Sequence, residues 1–386
     1  MTTEQLLIAL LRAVLSGEPF TQPLDVADFK AVYKLAAKHD LRHLVYYAAE
    51  QGSALPIPAD EAEQAFMEQA AAAVLTAQYR YVKLEAELAH IGDVFERKQI
   101  PYIPLKGAVL RALYPEPWMR TSCDLDILVH PDDLDRAANA LVAEGFTTDG
   151  VRNYHDMSLY CDGVHLELHH NVLERIPAMD AVLATVWEHT NSKGCYHLET
   201  PAFFLFHHLA HMAYHFLGGG CGIRTVMDLW LLLQSGGCSA KEVLALCEKG
   251  GILTFAEQMC ALAAVWFGDG EHTEITRKAE RFILYGGAYG SREQGSAATA
   301  ARYSTATAVW RKIWMPYIDL KQVYPQVEGK PYLVPYYQAH RVVTRLKQGR
   351  GAKAVERLRA VSEQSDETVA ETRELLSDLG LYEVSE

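Results

Sequence analysis

One short run in this chain, Asp124 to Val129 with the sequence DLDILV, limits most strongly what the surrounding sequence can fold into. Two carboxylates two residues apart begin an otherwise apolar run, and on a β-strand that spacing places both on one face. Like charges on one face repel each other unless a cation lies between them. Mg²⁺ is an oxygen-seeking ion that proteins hold with one or two carboxylates and substrate phosphates. The run therefore indicates a metal–phosphate site; the alternative is a surface strand with two solvated acids.

A second run, Val164 to His169, offers a third acid. Its apolar residues alternate with His165, Glu167 and His169, so these three polar side chains share one strand face. If this strand lies beside the Asp124 strand, Glu167 joins the two aspartates. Two Mg²⁺ ions roughly 3.5–4 Å apart would then clamp the attacking and leaving oxygens of an in-line phosphoryl displacement.

Upstream, Lys106-Gly107 lies where an apolar run changes to a helical pattern. A glycine there lets backbone N–H groups approach a phosphate, and the N-terminus of a helix favours negative charge. Lys106 would neutralise phosphate charge, the alternative being a surface lysine. Arg120, four residues before Asp124, would bind phosphate in bidentate fashion; the alternative is an ion pair of Arg120 with Asp124 or Asp126.

Together these motifs resemble a family of bacterial nucleotidyltransferase-like proteins of unassigned substrate, within the superfamily typified by DNA polymerase beta. The resemblance rests on Lys106-Gly107, Tyr114, Arg120, the strand at 124–129, Gly145-Phe146 and Glu167-Leu168-His169. It covers residues 98–170 and, more weakly, the chain to about residue 235. It implies that Asp124, Asp126 and Glu167 are the metal-binding acids. It also implies that Gly107 occupies the phosphate-binding turn.

Farther along, His207, His211 and His215 recur at four-residue intervals and form one stripe on a predicted helix. This stripe either packs between regions, lines a substrate cleft or binds a transition metal. The zinc-protease pattern needs a glutamate directly after the first histidine, and this chain has His208 there. The sequence therefore does not support protease chemistry.

Arg224 and Asp228 follow at i, i+4 spacing, and the simplest interpretation is an intrahelical ion pair. The related family is similar here, with histidines on one helix and an arginine and an aspartate on the next. This similarity implies a cleft role for Arg224 and an acid–base role toward the acceptor for Asp228. The other residues predicted to line the substrate cleft are His169, His207 and His211.

The chain divides into three predicted regions. Residues 1–98 show apolar spacing near 3.6 and end in a long helical pattern from Asp60 to Lys98. Residues 99–200 alternate strand and helix signals, and residues 201–386 are helical again. This order predicts an α+β fold: a small mixed β-sheet nucleotidyltransferase core flanked by helical regions, the second of which forms the other wall of the cleft.

Within the central region, strands are predicted from Ile100 to Leu105 and at 124–129. Pro131 starts a helix that Gly145 ends. Asp162-Gly163 between two strand-like runs is a hairpin signal.

Composition narrows the class of protein. The 386 residues carry a net charge of −13, which argues against a broad nucleic-acid surface because phosphate backbones require clustered Lys and Arg. Seven scattered cysteines without a C-x-x-C pair indicate reduced thiols in a cytoplasmic protein. The sequence has no apolar run of membrane-spanning length, so no membrane segment is expected.

The first functional hypothesis is a Mg²⁺-dependent nucleotidyltransferase, with Mn²⁺ as a possible substitute. It would move the NMP group of an NTP, ATP first, to a small-molecule or protein acceptor and release pyrophosphate. The alternative is a catalytically weak nucleotide-binding or regulatory protein, because the superfamily has Gly-Ser at the turn where this chain has Lys106-Gly107. A metal-dependent phosphohydrolase is the third hypothesis. The acceptor and the oligomeric state stay open.

Overall fold

A seven-stranded mixed sheet lies between helical segments in this computed structural model, which describes residues 1–304, 306, 307, 310, 314–347 and 359–382. The helices before the sheet are α1 (Thr3–Ser16), α2 (Val26–Lys38), α3 (Arg42–Gln51) and α4 (Glu61–Lys98). The sheet region contains β1 (Tyr102–Pro104), α5 (Gly107–Leu110), β2 (Asp124–Val129), α6 (Leu134–Ala143), β3 (Thr147–Arg152), β4 (Asp156–Cys161), β5 (Val164–His169), α7 (Pro177–Leu183), β6 (Thr190–Lys193) and β7 (Tyr196–Glu199). The later helices are α8 (Pro201–Gly218), α9 (Ile223–Gln234), α10 (Ala240–Lys249), α11 (Leu253–Phe267), α12 (Glu274–Gly286), α13 (Arg292–Arg302), α14 (Tyr317–Val323), α15 (Val334–Lys347) and α16 (Asp366–Asp378).

The strand order across the sheet is β3-β4-β5-β2-β1-β7-β6. At its centre β2 runs antiparallel to β1 and parallel to β5. β1 is also parallel to β7, whereas β3–β4, β4–β5 and β6–β7 are antiparallel pairs. The predicted α+β class with a mixed sheet and flanking helices is confirmed.

Local sequence signals explain the main elements. The Asp60 side chain accepts from the Glu63 N–H and caps α4, the predicted long helix. The β4–β5 hairpin turns at Asp162 and Gly163, both with positive φ as an Asp-Gly turn requires. The predicted helix after Pro131 begins as a 3₁₀ turn and becomes α-helical at Leu134.

The sequence pattern does not predict strands β3, β6 and β7. β3 and β6 are the two edges of the sheet, and most of their side chains are exposed. A strand without a buried face lacks the alternation of apolar and polar residues on which prediction depends. β7 has only four residues, so it also carries little pattern.

Two hydrophobic clusters hold the sheet in place. One cluster packs α4 and α6 on one sheet face and includes Phe95, Ile127 and Leu141. The other cluster joins the N-terminal helices to the C-terminal helices and includes Leu7 of α1 and Phe255 of α11. The flanking helical regions therefore share a core, and the division at residues 98 and 200 stays a prediction. Among the described residues, no helix combines the length and apolarity needed to span a membrane.

Two buried histidines connect the N-terminal helices to the rest of the chain. The Nε2 atom of His43 donates to the Met119 carbonyl at 3.0 Å, and that of His39 to the Leu284 carbonyl at 3.2 Å. Burial lowers the pKa of each imidazole to about 4, although the carbonyl acceptors act in the opposite direction. Both rings are therefore neutral in the folded protein at neutral pH.

We expect acid to destabilise the fold between pH 6.5 and 4. Unfolded histidine takes up its proton near pH 6.5 and the folded rings only near pH 4, so the free energy of unfolding falls as the pH drops through this window. At pH 5 the loss is about 2 kcal/mol per histidine. Urea unfolding of wild type and His43→Gln at pH 7.5 and pH 5.0 measures this. The variant should lose about that much of the pH dependence, whereas His340→Gln, at an exposed position, should retain it. Equal pH dependence in wild type and His43→Gln would contradict the assignment.

Candidate active site

Three carboxylates meet on one face at the centre of the sheet. The parallel pairing of β2 with β5 places Asp124 opposite His165 and Asp126 opposite Glu167. Ligand atoms of Asp126, Glu167 and His169 lie within 4.8 Å of one another, as do those of Asp124, His165 and Glu167. The structure therefore brings together the three acids predicted as metal ligands; their metal-binding role stays a prediction.

Two cations partly compensate these carboxylates. The Nε2 atom of His169 donates to an Asp126 oxygen at 3.0 Å and lies 3.6 Å from a Glu167 oxygen. Burial lowers the pKa of His169, but these carboxylate contacts raise it to about 9. Burial would raise the pKa of Asp126, yet Lys106 and His169 hold it well below its usual range. Burial and its two neighbouring acids raise the pKa of Asp124 instead.

This donor set fits a divalent cation. Three carboxylates stand against one ammonium and one imidazolium, so negative charge and free oxygen lone pairs remain on this face. Oxygen donors of this kind match the preference of Mg²⁺ and Mn²⁺.

The Lys106-Gly107 turn lies in the same cleft. Lys106 has a φ of 43°, a conformation that costs a non-glycine residue about 1–3 kcal/mol and that clusters at functional sites. Burial lowers the pKa of its ammonium, but Asp126 and three further carboxylates outweigh burial and raise it overall. A Cβ atom at Gly107 would lie 3.4 Å from both Arg120 Nη1 and Ser122 Cβ. The turn is thus packed against the arginine that was predicted to bind phosphate with it.

Arg120 is held by a buried acid from the C-terminal helices. Its Nε atom donates to both oxygens of Asp228, at 2.9 and 3.0 Å, and the Tyr114 hydroxyl donates to Asp228 at 2.7 Å. Burial and Asp228 raise the pKa of Tyr114 well above its usual value, so the tyrosine stays a neutral donor. The alternative in which Arg120 pairs with Asp124 or Asp126 is wrong.

Arg224 does not pair with Asp228 in its own helix, so the simplest interpretation of their spacing is wrong. Its Nη2 atom instead donates to an Asp40 oxygen at 2.7 Å, and its Nη1 atom to the Thr121 carbonyl at 3.1 Å. Arg224 therefore ties α9 to the segment that carries Arg120. The acid–base role of Asp228 stays a prediction.

Helix α8 forms the opposite wall, and its histidines each have an identified partner. His207 Nδ1 lies 3.0 Å from Glu199, and His211 Nδ1 lies 2.6 Å from Glu174. The Nε2 atoms of His211 and His215 are 3.0 Å apart. Within the described part of the chain, the groups able to hold a metal do not include this stripe. A cleft-lining role is the interpretation that these contacts support.

All residues assigned to the site from the sequence line one cleft of about 430 Å³. They are Lys106, Gly107, Arg120, Asp124, Asp126, Glu167, His169, His207, His211, Arg224 and Asp228. No pattern in the sequence predicts that Glu174 and Asp40 contact residues of the cleft. Glu174 lies in the loop after β5 and Asp40 between α2 and α3, where no periodic pattern marks them. Their roles arise only from packing between distant segments.

We expect Asp228→Ala to lower the free energy of unfolding by about 3–5 kcal/mol. The side chain of Asp228 is only 1% exposed, and its removal leaves the guanidinium of Arg120 buried without its partner. A double-mutant cycle with Arg120→Ala, measured by urea unfolding, should give a coupling energy above about 1 kcal/mol. The exposed pair Arg359–Glu363 is the matched control and should couple by less than about 0.5 kcal/mol. Similar coupling in both pairs would show that burial does not strengthen the Arg120–Asp228 pair.

Comparison with known proteins agrees with this site. A family model described as an uncharacterised nucleotidyltransferase matches residues 25–268. The match includes the sheet, the turn, α8 and α9. Searches among curated proteins and among solved structures gave no match.

Proposed function

The chain belongs to the uncharacterised nucleotidyltransferase family, and from that premise we propose that it transfers the NMP group of an NTP to an acceptor and releases pyrophosphate. One observation carries the proposal: Asp124, Asp126 and Glu167 share a sheet face in the cleft that also holds the Lys106-Gly107 turn. Carboxylates for a metal and cations for a polyphosphate thus face one enclosed space.

In this proposal the metal is Mg²⁺, with Mn²⁺ as a substitute, and its ligands are Asp124, Asp126 and Glu167. When bound, the metal supplies charge neutralisation at the transferred phosphoryl group. His169 holds the Asp126 carboxylate in place through its hydrogen bond.

The phosphates of the NTP, ATP first, are bound by Lys106 and Arg120 beside Gly107. The two oxygens of Asp228 fix the Nε edge of the Arg120 guanidinium, and the Tyr114 hydroxyl fixes Asp228. These contacts support a role for Asp228 as a residue that positions Arg120. Catalysis would come mainly from positioning and charge neutralisation.

In this proposal the helices after residue 200 form the wall of the cleft that binds the acceptor. The region 201–386 would thus select the substrate, next to the core at 99–200 and the helices of 1–98. The acceptor is a small molecule or a protein side chain, because the net charge of −13 does not suit a polynucleotide. Seven cysteines without disulfides support a cytoplasmic location.

The test is a thermal unfolding series with each NTP, with and without Mg²⁺, on wild type and on Asp124→Asn/Asp126→Asn. A ligand that binds only the folded state stabilises it by about 2.7 kcal/mol at a concentration of one hundred times Kd. We expect a Mg²⁺-dependent rise in Tm with at least one NTP and its loss in the double variant. Without ligand the double variant should be less stable than wild type, because Asp126→Asn leaves Lys106 and the buried His169 without their closest counter-charge. Circular dichroism checks that it is folded, and the single variant Asp124→Asn, at a position where burial and two acids already disfavour the charge, is the folded control.

Product analysis separates the three hypotheses. Pyrophosphate release with a labelled acceptor supports nucleotidyl transfer. Mg²⁺-dependent NTP binding without pyrophosphate release, across a broad acceptor screen, would support the regulatory alternative. Inorganic phosphate as the product would indicate a phosphohydrolase. If no NTP raises the Tm of the wild-type protein, the proposal of nucleotidyl transfer is wrong.

Lys106→Met should weaken NTP binding about 10–100-fold, because it removes one charge-assisted phosphate contact. Isothermal titration with the NTP identified above measures the effect. Lys193→Met removes an exposed lysine on the edge strand β6 and is the control. Equal Kd values for the two variants would remove Lys106 from the phosphate site.

A further inference from the structure

A chain of three side chains crosses the acceptor wall of the cleft. Glu174 is buried and accepts from His211 Nδ1 at 2.6 Å, and His211 Nε2 lies 3.0 Å from His215 Nε2. All three residues line the cleft that contains Asp124, Asp126 and Glu167. In this chain a buried carboxylate contacts one imidazole, and that imidazole contacts a second one. Proteins orient a general base by a similar arrangement, in which a third group holds the base in place.

The hydrogen bonds fix where the protons sit. A Glu174 carboxylate can only accept, so His211 carries its proton on Nδ1 and has a lone pair on Nε2. His215 must therefore donate from its own Nε2. In neutral His215 the remaining nitrogen, Nδ1, then carries the lone pair. Among the described residues this atom has no hydrogen-bond partner, so the chain ends in one unused base.

Burial and the charge of Lys106 keep the two imidazole rings of this chain neutral. Burial lowers the pKa of His211 well below its usual value, and the charge of Lys106 acts in the same direction. Burial also lowers the pKa of His215, against the opposing charge of Glu174. The groups that face the two rings are Glu174, Lys106, Asp126, His207, His208 and Tyr214.

Within the described part of the chain, the carboxylates of this wall already have hydrogen-bond partners. Apart from the three metal-binding candidates, the carboxylates that line the cleft are Glu174 and Asp228. Glu174 accepts from His211, and Asp228 accepts from Arg120 and Tyr114. A neutral imidazole nitrogen with a lone pair can accept a proton from an uncharged polar group such as a hydroxyl.

We propose that His215 is the general base of the transfer, oriented through His211 by Glu174, and that the acceptor presents an uncharged hydroxyl group. The inference rests on the proposed nucleotidyl transfer and names its substrate class. A hydroxyl keeps its proton at neutral pH and needs a base, whereas a phosphate acceptor is already ionised. A base placed at this wall therefore distinguishes the two kinds of acceptor.

The proposed transfer moves one proton and exchanges one bond at the α-phosphorus. The acceptor O–H proton moves to Nδ1 of His215 while the acceptor oxygen forms a bond to the α-phosphorus. The bond from the α-phosphorus to the bridging oxygen breaks, and pyrophosphate leaves with the electron pair. The imidazolium formed on the histidine pair is compensated by the Glu174 carboxylate and later returns its proton to water.

The first experiment is ¹⁵N NMR of the histidine-labelled wild-type protein without nucleotide. Signals of His211 and His215 are assigned by their loss in His211→Gln and His215→Gln. We expect a proton on Nδ1 of His211 and on Nε2 of His215. A proton on Nδ1 of neutral His215 would overturn the proposal, because the chain would then have no base at its end.

The second experiment measures pyrophosphate release from the NTP that stabilises the protein, with water or glycerol as the hydroxyl probe; the second product is NMP with water and the glycerol–NMP diester with glycerol. His215→Gln should reduce the rate about 10²–10⁴-fold with an unchanged NTP-induced Tm shift. Glu174→Gln should move the acid limb of the pH–rate profile to lower pH, an effect that a purely structural role would not produce. The control His340→Gln, at an exposed position outside the cleft, should match wild type.

The outcomes separate this inference from the proposed function. If His215→Gln binds the NTP and retains full turnover, the assignment of His215 as the general base is wrong, but the proposed nucleotidyl transfer stands. If the protein transfers the NMP group to inorganic phosphate, and His215→Gln does so at the wild-type rate, the assignment of a hydroxyl acceptor is wrong. Absence of any NTP-induced Tm shift in wild type would overturn the proposed function, whatever tautomers NMR finds. If neither water nor glycerol accepts the NMP group, the tautomer of His215 found by NMR decides whether the assignment of the base stands.

Discussion

The parallel register between β2 and β5 is the constraint on which the site depends. A slip of one residue would turn Glu167 to the opposite face and separate it from Asp126. The register is held from the other face, where Leu125, Ile127 and Leu166 are almost completely buried. Burial of each such side chain is worth about 1.5–3 kcal/mol. The hydrophobic face therefore supplies the energy that keeps like charges together on the polar face.

The polar face also requires compensation from residues outside the two strands. Lys106 reaches it from a turn with positive φ, and His169 from the end of β5. Both cations lower the pKa of Asp126. At Asp124, burial and the neighbouring acids outweigh Lys106 and raise the pKa instead. The cluster is thus uneven. Lys106 and His169 favour the charged form of Asp126, whereas burial and the two neighbouring acids act against the charged form of Asp124.

Periodicity predicted the parts of this molecule that bury one face. Strands β2 and β5, the long helix α4 and the shared face of Glu167 follow from alternation or helical spacing in the sequence. The edge strands have no buried face and left no such signal. Local spacing gave a wrong prediction for one ion pair. Arg224 and Asp228 are four residues apart, yet Asp228 accepts from Arg120, more than one hundred positions away in the sequence. Contacts between distant segments, including the one that holds Glu174, depend on packing that no local pattern encodes.

Electrostatic pairing divides the cleft into two unlike halves. On the sheet side the acids outnumber their cationic partners, and the Lys106 turn adds a cation that faces the same space. On the α8 side the described carboxylates that line the cleft, Glu174 and Asp228, each have a hydrogen-bonded partner, and burial lowers the pKa of His211 and His215 so that both rings are neutral. In the proposed transfer, a charged polyphosphate with its metal would be stabilised in the first half. An uncharged acceptor group would bind in the second half, where its orientation toward the reacting phosphorus would depend on imidazole hydrogen bonds, which are directional in a way that charge attraction is not.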